Sequence, residues 1–452
     1  ADFLVAADQE GGGVLRLLDV PYPPGAMALG AAADPDLTRR VATATGRGLA
    51  ALGVNVDFAP VADVNSNPAN PVIADRAFGS APAEVADHVV AFIQGLQQAG
   101  VAATVKHFPG HGDTDTDSHL ALPRLDAGRE QLEAAEFVPF RAAVAAGAAA
   151  VMSAHILLPQ LDPTVPATLS RPLMTGLLRD SLGFDGTVFT DALNMRAIAD
   201  TYGPAEAAVR ALAAGCDMPV HVGPLAEHAA VLAAYRQAVD GGRLDPAELV
   251  RSEARVRRLA RRYPGSSRPE AAWQDGDAAL LAEAARRGLV SLGGFRPLPP
   301  GARLVLVAAR SVAASAASQT TIAPAQDLAR ALEAQGFAVT EALYDRQAPE
   351  QDRAAALALA RDADAALFVS AGRTRMHEAE TDLARAVAAT TAHFVHVALW
   401  NPYQVLDVPG PALVSFGFRP ASLRAVAAAL AGEAVTGVAP VPLEPLTPSS
   451  AD

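Results

Sequence analysis

The segment Lys106-His107-Phe108-Pro109-Gly110-His111-Gly112-Asp113-Thr114-Asp115-Thr116-Asp117-Ser118-His119 gathers three of the chain's ten histidines and three aspartates into one stretch. Its two glycines and its proline forbid a helix through the first half. Three readings fit it. His107, His111 and His119 could ligate a metal, although the spacing matches neither a helical His-Glu-x-x-His nor a calcium loop. Asp117-Ser118-His119 could work as an acid/base pair, a carboxylate near an imidazole fixing its tautomer and raising its basicity. The whole segment could also be a solvated, glycine-rich loop. A second stretch, Phe189-Thr190-Asp191-Ala192-Leu193-Asn194-Met195, ends an apolar run on a carboxylate. Asp191 there suits the N-cap of a helix over 192–198, or a nucleophile held at the end of a strand, and the two roles are compatible. In Asp8-Gln9-Glu10-Gly11-Gly12-Gly13-Val14-Leu15-Arg16 the glycines permit a tight turn and close approach of a ligand. The charges around them suit a hydroxyl-rich one. Asp75-Arg76-Ala77-Phe78-Gly79 reads as a charged surface turn.

These groups need elements to position them. In the first half, apolar runs at 3–7, 54–59, 101–105, 149–154, 187–190 and 216–220 alternate with amphipathic patterns such as 84–99 and 129–146. Alternating strands and helices imply a parallel sheet covered by helices, and runs apolar at nearly every position suit strands buried on both faces. The polar and glycine-rich residues follow the strands rather than precede them. That is where a (β/α)-barrel builds its site. Six runs stand where a closed barrel has eight, so the expected fold is a TIM-type (β/α)8 barrel lacking its first βα unit. From about 257 to 302 the pattern changes. A basic helix over 251–262 ends at Pro264, Gly265-Ser266-Ser267 follows, and Pro297-Leu298-Pro299-Pro300-Gly301 comes later. This reads as a linker holding a helix near 277–288. A second series has strands expected at 304–308, 366–369, 394–399 and 412–416, and helices at 325–335, 353–360 and 421–431. The expected domains are therefore a catalytic barrel over 1–262, a linker over 263–302 and a smaller α/β sandwich over 303–452. The second series has neither a dinucleotide fingerprint nor a phosphate loop.

Bulk composition narrows the function classes. With 452 residues the chain exceeds the roughly 250–300 that one core supports, and its 51% hydrophobic content argues against disorder. A net charge of −13 without a basic cluster excludes nucleic acid as an expected partner. The single cysteine, Cys216, allows neither an internal disulfide nor a cysteine zinc site. No run reaches the roughly 18 apolar residues of a membrane span, so no membrane partner is expected. A cytoplasmic location is the expectation, although the chain opens almost inside a strand.

Together the segments resemble family 3 glycoside hydrolases, in their β-N-acetylglucosaminidase (β-hexosaminidase) branch. The specific string runs from Lys106 to Gly112 and on to Asp117-Ser118-His119. Asp8 to Gly12, Asp75 to Gly79 and Thr190 to Leu193 fall where that family places them. Ala398-Leu399-Trp400-Asn401-Pro402-Tyr403 and Ser415-Phe416-Gly417-Phe418-Arg419-Pro420 resemble the second domain of its two-domain members. The resemblance implies Asp191 as nucleophile, His119 as acid/base with Asp117 as its partner, and Asp8, Arg16, Arg76, Lys106 and His107 as sugar-binding residues. It implies no cofactor and no metal. Gly13 departs from the arginine of many relatives.

The implied chemistry is retaining hydrolysis of terminal β-linked N-acetylglucosamine from peptidoglycan fragments or chitin oligosaccharides through a glycosyl-enzyme. A retaining glycosidase needs a nucleophile on one side of the anomeric carbon and a proton donor on the other. Here a histidine stands in for the usual second carboxylate, oriented by Asp117. The alternatives are a β-glucosidase of the same family, a phosphorylase, whose anionic co-substrate a histidine repels less than a carboxylate would, and a non-catalytic sugar-binding protein.

Overall fold

A computed structural model describes residues 3–265, 272–313 and 321–443. In the first half, strands β1 (Ala6–Ala7), β2 (Val56–Asp57), β3 (Ala102–Phe108), β4 (Ala150–Ser153) and β5 (Thr187–Phe189) pair in sequential order, all parallel. The sixth apolar run contributes one bridge, Met218 to Phe189. Pro219 follows at once and has no N–H to continue a ladder. The result is a TIM-barrel-like parallel sheet, with every residue of β3, β4 and β5 buried. Helices Pro35–Ala51 and Pro82–Gln98 cover one side, each with proline in its first turn, and Asp34 caps the former by accepting from the Leu37 amide. The pair approach so closely that a Cβ on Gly95 would meet Arg39 O at 2.4 Å.

Two helices differ from the sequence pattern. The expected helix over 129–146 is broken into Arg129–Ala134 and Phe137–Ala145. The break puts Glu136 against Gly110, where an added Cβ would meet Glu136 Cγ at 2.5 Å. The helix expected to start behind Asp191 starts at Arg196 instead, so Asp191 is not its N-cap. Its Oδ1 accepts from the very next amide, that of Ala192, at 2.7 Å.

The second sheet comprises β6 (Val290–Leu292), β7 (Arg303–Ala309), β10 (Ala338–Tyr344), β11 (Ala365–Ser370), β12 (Phe394–Ala398) and β13 (Ala412–Val414). A two-stranded ribbon, β8 (Val312–Ala313) with β9 (Thr321–Ile322), lies apart. The spatial order is β10-β7-β11-β12-β13-β6, parallel except for β6 at the edge. Apolar clusters on both faces, one around Leu306, Leu328 and Val426, the other around Val307, Phe368 and Leu383, make it a three-layer α/β sandwich. Two of these strands were missed. β10 is buried only at Ala342 and Tyr344, and Thr340-Glu341 interrupts its apolar residues. β6 lies within the expected linker, yet Val290–Leu292 completes the second sheet. Ser266 and Ser267 of that linker lie outside the described residues.

An apolar seam joins the two halves. Met27, Ala28 and Ala31 of the first pack with Val290, Tyr403, Val414 and Phe416 of the second, and helix Asp277–Arg287 touches helices of both. The loops after β11 and β12 thereby lie over the mouth of the first sheet. Trp400 Nε1 donates to Asp75 Oδ1 (3.1 Å), Asn65 Nδ2 donates to the Tyr403 hydroxyl (2.8 Å), and Arg419 Nε donates to Gly12 O (3.1 Å).

Candidate active site

The floor of the mouth is a network of buried charges. Lys106, 2% exposed, sits on β3 with its Nζ 2.8 Å from Asp8 Oδ1 and 2.5 Å from Glu10 Oε1. Glu10 also takes a two-pronged bond from Arg76, whose Nε and Nη2 each donate at 2.8 Å. Burial opposes the Glu10 anion, but Arg76 and Lys106 outweigh it and hold the carboxyl far below its usual range. Burial likewise opposes the Lys106 cation, and Asp8 and Glu10 overcome it to raise its pKa. Asp57 accepts from the Gln9 amide (3.0 Å) and has no ion-pair partner among the described residues. Burial pushes it up to about 8.

The turn Asp75-Arg76-Ala77-Phe78-Gly79, expected at the surface, is a short 3₁₀ turn with Asp75, Ala77 and Phe78 buried. The second domain covers it, which the local sequence could not reveal. Burial pushes Asp75 up to about 7. Arg16 lies at the rim, its side chain 58% exposed, 3.5 Å from Asp8 Oδ2.

His107 continues the floor. Its Nδ1 donates to Asp63 Oδ2 (2.7 Å), and its Nε2 lies 3.4 Å from Arg76 Nη2. Asp63 Oδ1 also accepts from the amides of His107 (3.2 Å) and His111 (2.7 Å), clamping the start of the loop. At Gly112 any side chain is excluded, since a Cβ would lie 1.7 Å from Val64 O. The His111 ring points inward, Nδ1 to Thr114 Oγ1 (2.7 Å) and Nε2 to Ser118 Oγ (3.1 Å), and burial pushes it down to about 4. His107, His111 and His119 thus face separate partners. Among the described residues no group of three or more His, Cys, Asp or Glu side chains is arranged to hold a metal ion. Most of the segment is buried, contrary to its polar sequence, because its own side chains together with Asp8, Glu10, Asp63 and Asn70 satisfy its polar groups.

At the far end of the loop Asp117 is buried and His119 is exposed. Asp117 Oδ1 accepts from both the amide (2.9 Å) and Nδ1 (2.7 Å) of His119. Burial opposes the Asp117 anion, and these two bonds outweigh it to lower the pKa. With Nδ1 bound, His119 Nε2 has no protein partner among the described residues and is free to exchange a proton with a ligand.

Asp191 stands half-buried at the end of β5. Its amide donates to Ser153 O (3.2 Å), and Oδ1 takes the Ala192 amide, which leaves Oδ2 without a hydrogen bond among the described residues. Burial opposes ionisation, but His155, His107, the Ala192 amide and Lys106 prevail and lower the pKa. His155, at the end of β4, braces the turn by donating from Nε2 to Ala192 O (3.0 Å). Its electrostatic neighbours include Asp191, His107 and His119, which places all of them around one mouth. The structure therefore brings Asp8, Arg76, Lys106, His107, Asp117, His119 and Asp191 together, with Arg16 outermost.

Sequence reading missed Glu10, Asp63, His155, Trp400 and Arg373 as parts of this site. Asp63 and His155 carried a usable signal, since both follow apolar strand runs just as Asp191 does. Trp400 and Arg373 carried none, because nothing in the first domain's sequence says which loops of the second will meet it.

The model of the glycosyl hydrolase family 3 N-terminal domain matches residues 2–259. Beta-hexosaminidase LpqI of Mycobacterium tuberculosis is 39% identical over 275 residues, covering 58% of this chain and 69% of that protein. Beta-hexosaminidase A of Pseudoalteromonas piscicida is 37% identical over 286 residues, and the chain spans about half of its length (48%) and matches over 58% of its own. Among solved structures, a glycoside hydrolase family 3 beta-N-acetylglucosaminidase from Paenibacillus sp. str. FPU-7 superposes with a TM-score of 0.89 at 35% identity, covering 98% of this chain and 86% of that one.

Proposed function

Because the chain belongs to glycosyl hydrolase family 3, we propose that it removes terminal β-linked N-acetylglucosamine from glycans, peptidoglycan fragments or chitin oligosaccharides, with retention of configuration. One observation carries this reading: a carboxylate with a free oxygen, Asp191, and an imidazole with a free Nε2, His119, stand at the same mouth. The names of the relatives support the choice of sugar.

In the first step Asp191 Oδ2 attacks the anomeric carbon while His119, as imidazolium, gives its Nε2 proton to the departing oxygen. The anionic Asp117 stabilises that imidazolium through Nδ1. In the second step His119 takes a proton from water, which displaces Asp191 and restores the original configuration. Asp8, Lys106, Arg76 and His107 form the floor on which the sugar hydroxyls and acetamido group rest, with Arg16 at the rim.

The test compares aryl β-glycosides that differ only at the 2-position. A site that hydrogen-bonds an acetamido group leaves polar groups unpaired when glucose binds, at about 1–3 kcal/mol each, so a preference of roughly tenfold to over a hundredfold is expected. Equal efficiency on both would sink the assignment to this branch and leave the β-glucosidase reading. The steps use no metal, so dialysis against a chelator should leave turnover intact. A loss restored by zinc or manganese would favour the metal reading of the loop.

A further inference from the structure

Arg373 follows β11 and reaches the mouth from the second domain. Its backbone is held from behind: Asn401 Nδ2 donates to Arg373 O (2.7 Å), and Gln404 Nε2 donates to Thr374 O (2.7 Å). The adjacent Trp400 is tied to Asp75, the neighbour of Arg76. The cations of the floor and rim are ion-paired, Lys106 to Asp8 and Glu10, Arg76 to Glu10, and Arg16 to Asp8, and Arg419 donates to Gly12 O. The Arg373 guanidinium is half-buried, yet among the described residues it has neither a side-chain hydrogen bond nor an ion pair.

The acids near it are Asp117, Asp75 and Glu10, and Arg76 opposes it with like charge. None of those acids forms an ion pair with it among the described residues. Asp117 is bound to His119, Glu10 to Arg76 and Lys106, and Asp75 accepts from Trp400. A guanidinium out of bulk water with its planar fork unused is costly until an anion arrives, and carboxylates and phosphates match that fork. The fold puts it in a ligand-binding place. Counted from β7, the sheet order is that of a doubly wound fold whose switch point lies between β7 and β11, and ligands settle outside the carboxyl ends of strands there. Arg373 stands at that end, facing the Asp117 side of the mouth.

We propose that Arg373 is an anion-binding residue lent by the second domain, holding an oxyanion on the leaving-group side of the site. This rests on the reading of His119 as proton donor, which defines that side. The oxyanion has two possible sources: a carboxylate carried by the leaving sugar, or free phosphate. In the second case a phosphate oxygen replaces water. It bonds to the anomeric carbon as the Asp191 ester bond breaks, giving a sugar 1-phosphate and a free Asp191 carboxylate.

The experiment uses the full chain, Arg373→Gln and Arg373→Lys. One arm compares N-acetylglucosamine β-linked to a sugar bearing a lactyl carboxylate with the neutral disaccharide N,N'-diacetylchitobiose. The other follows a neutral aryl N-acetylglucosaminide with and without inorganic phosphate, assaying sugar 1-phosphate. A carboxylate ligand predicts that Arg373→Gln loses about ten- to a hundredfold in kcat/KM on the acidic disaccharide beyond any loss on the neutral one, with Arg373→Lys between. A phosphate ligand predicts that the phosphate acceleration and the sugar 1-phosphate disappear in Arg373→Gln. Proportional losses on both disaccharides together with an unchanged or absent phosphate response would overturn the proposal. Should the unmodified protein turn over none of these compounds, the glycosidase reading fails by itself. Calorimetric titration with inorganic phosphate and with lactate then decides: binding abolished by Arg373→Gln supports the anion site, and unaltered or absent binding overturns it.

Discussion

At the floor of the mouth, Lys106, Glu10, Asp63 and His107 are buried, Arg76 is partly buried, and they satisfy one another, mostly at 2.5–2.8 Å. A few residues further along the same chain segment, His119 stands with 42% of its side chain exposed, held by Asp117 alone. The floor is a preorganised surface, built before the sugar arrives and dry enough for each charge to count. The acid/base end must let a leaving group depart and water enter, so it stays open and anchored at one nitrogen. Buried Asp63 and the close contact at Gly112 hold the start of the loop, and this control does not extend to its tip. Recognition and proton transfer are thus separated along one stretch of sequence by degree of burial.

If that division holds, the largest effect of any substitution falls on Asp191, which is half-buried beside the floor and belongs to the chemistry by its free Oδ2. Asp191→Ala should cost about 10⁴–10⁶-fold in kcat while the fold stays intact by circular dichroism. A 2-acetamido fluoro-sugar that traps the intermediate should label Asp191 in the unmodified protein. A label on another carboxylate would assign the nucleophile elsewhere. Next in size is the tip. His119→Ala should lose about 10²–10⁴-fold on aryl glycosides with poor leaving groups and far less on those with good ones, which need no proton. Asp117→Ala should show the same slope. A uniform loss across the leaving-group series would erase the distinction between tip and floor.

How much of this was legible beforehand follows from where the information resides. β3 was legible because a strand buried on both faces must be apolar throughout, and the polar cluster after it stands out against that run. Asp191 was legible for the same reason at β5. The burial of Asp75 and the partial burial of Arg76 were not, since a charged turn looks alike whether water or a second domain covers it. β10 was hidden by Thr340-Glu341, which interrupt its apolar residues, and β6 by the proline- and glycine-rich segments around it. Arg373 is some 180 residues from Asp191 in sequence and joins the site only because the second sheet turns its carboxyl ends toward the first.

The floor should respond to substitution in stability as much as in rate. Lys106→Met removes the cation shared by Asp8 and Glu10 and leaves Arg76 as the only partner of Glu10 among the described residues. Breaking a buried ion pair from one side costs about 3–5 kcal/mol, so denaturant unfolding should show a loss of that order along with a raised KM. Unchanged stability would mean that Asp8 and Glu10 relax into water, and that the floor is wetter than its packing implies.

The smallest expected effect lies at the seam between the two regions. Glu136 sits in the break between two helices, against Gly110, with Asp63 and Asp113 as its charged neighbours. Burial first, then those two carboxylates, push it from 4.5 up to about 7. In the unfolded chain it releases its proton near 4.5, whereas the folded protein keeps it to about 7. Between those limits the native state binds more protons than the unfolded one. The contribution of this group to stability is therefore complete below about pH 4.5, declines through the window, and is lost above about pH 7. Glutamine fills the same space and does not titrate. Glu136→Gln should therefore gain on the parent protein as pH rises from 5 to 8, by up to about 3 kcal/mol if the whole shift is expressed. Urea unfolding of both proteins at the two pH values measures the difference directly, since every other titrating group is shared and cancels. Stability curves that stay parallel would show that Glu136 reaches water in the native state. The root of the loop would then be as open as its tip, and the floor would end at Asp63.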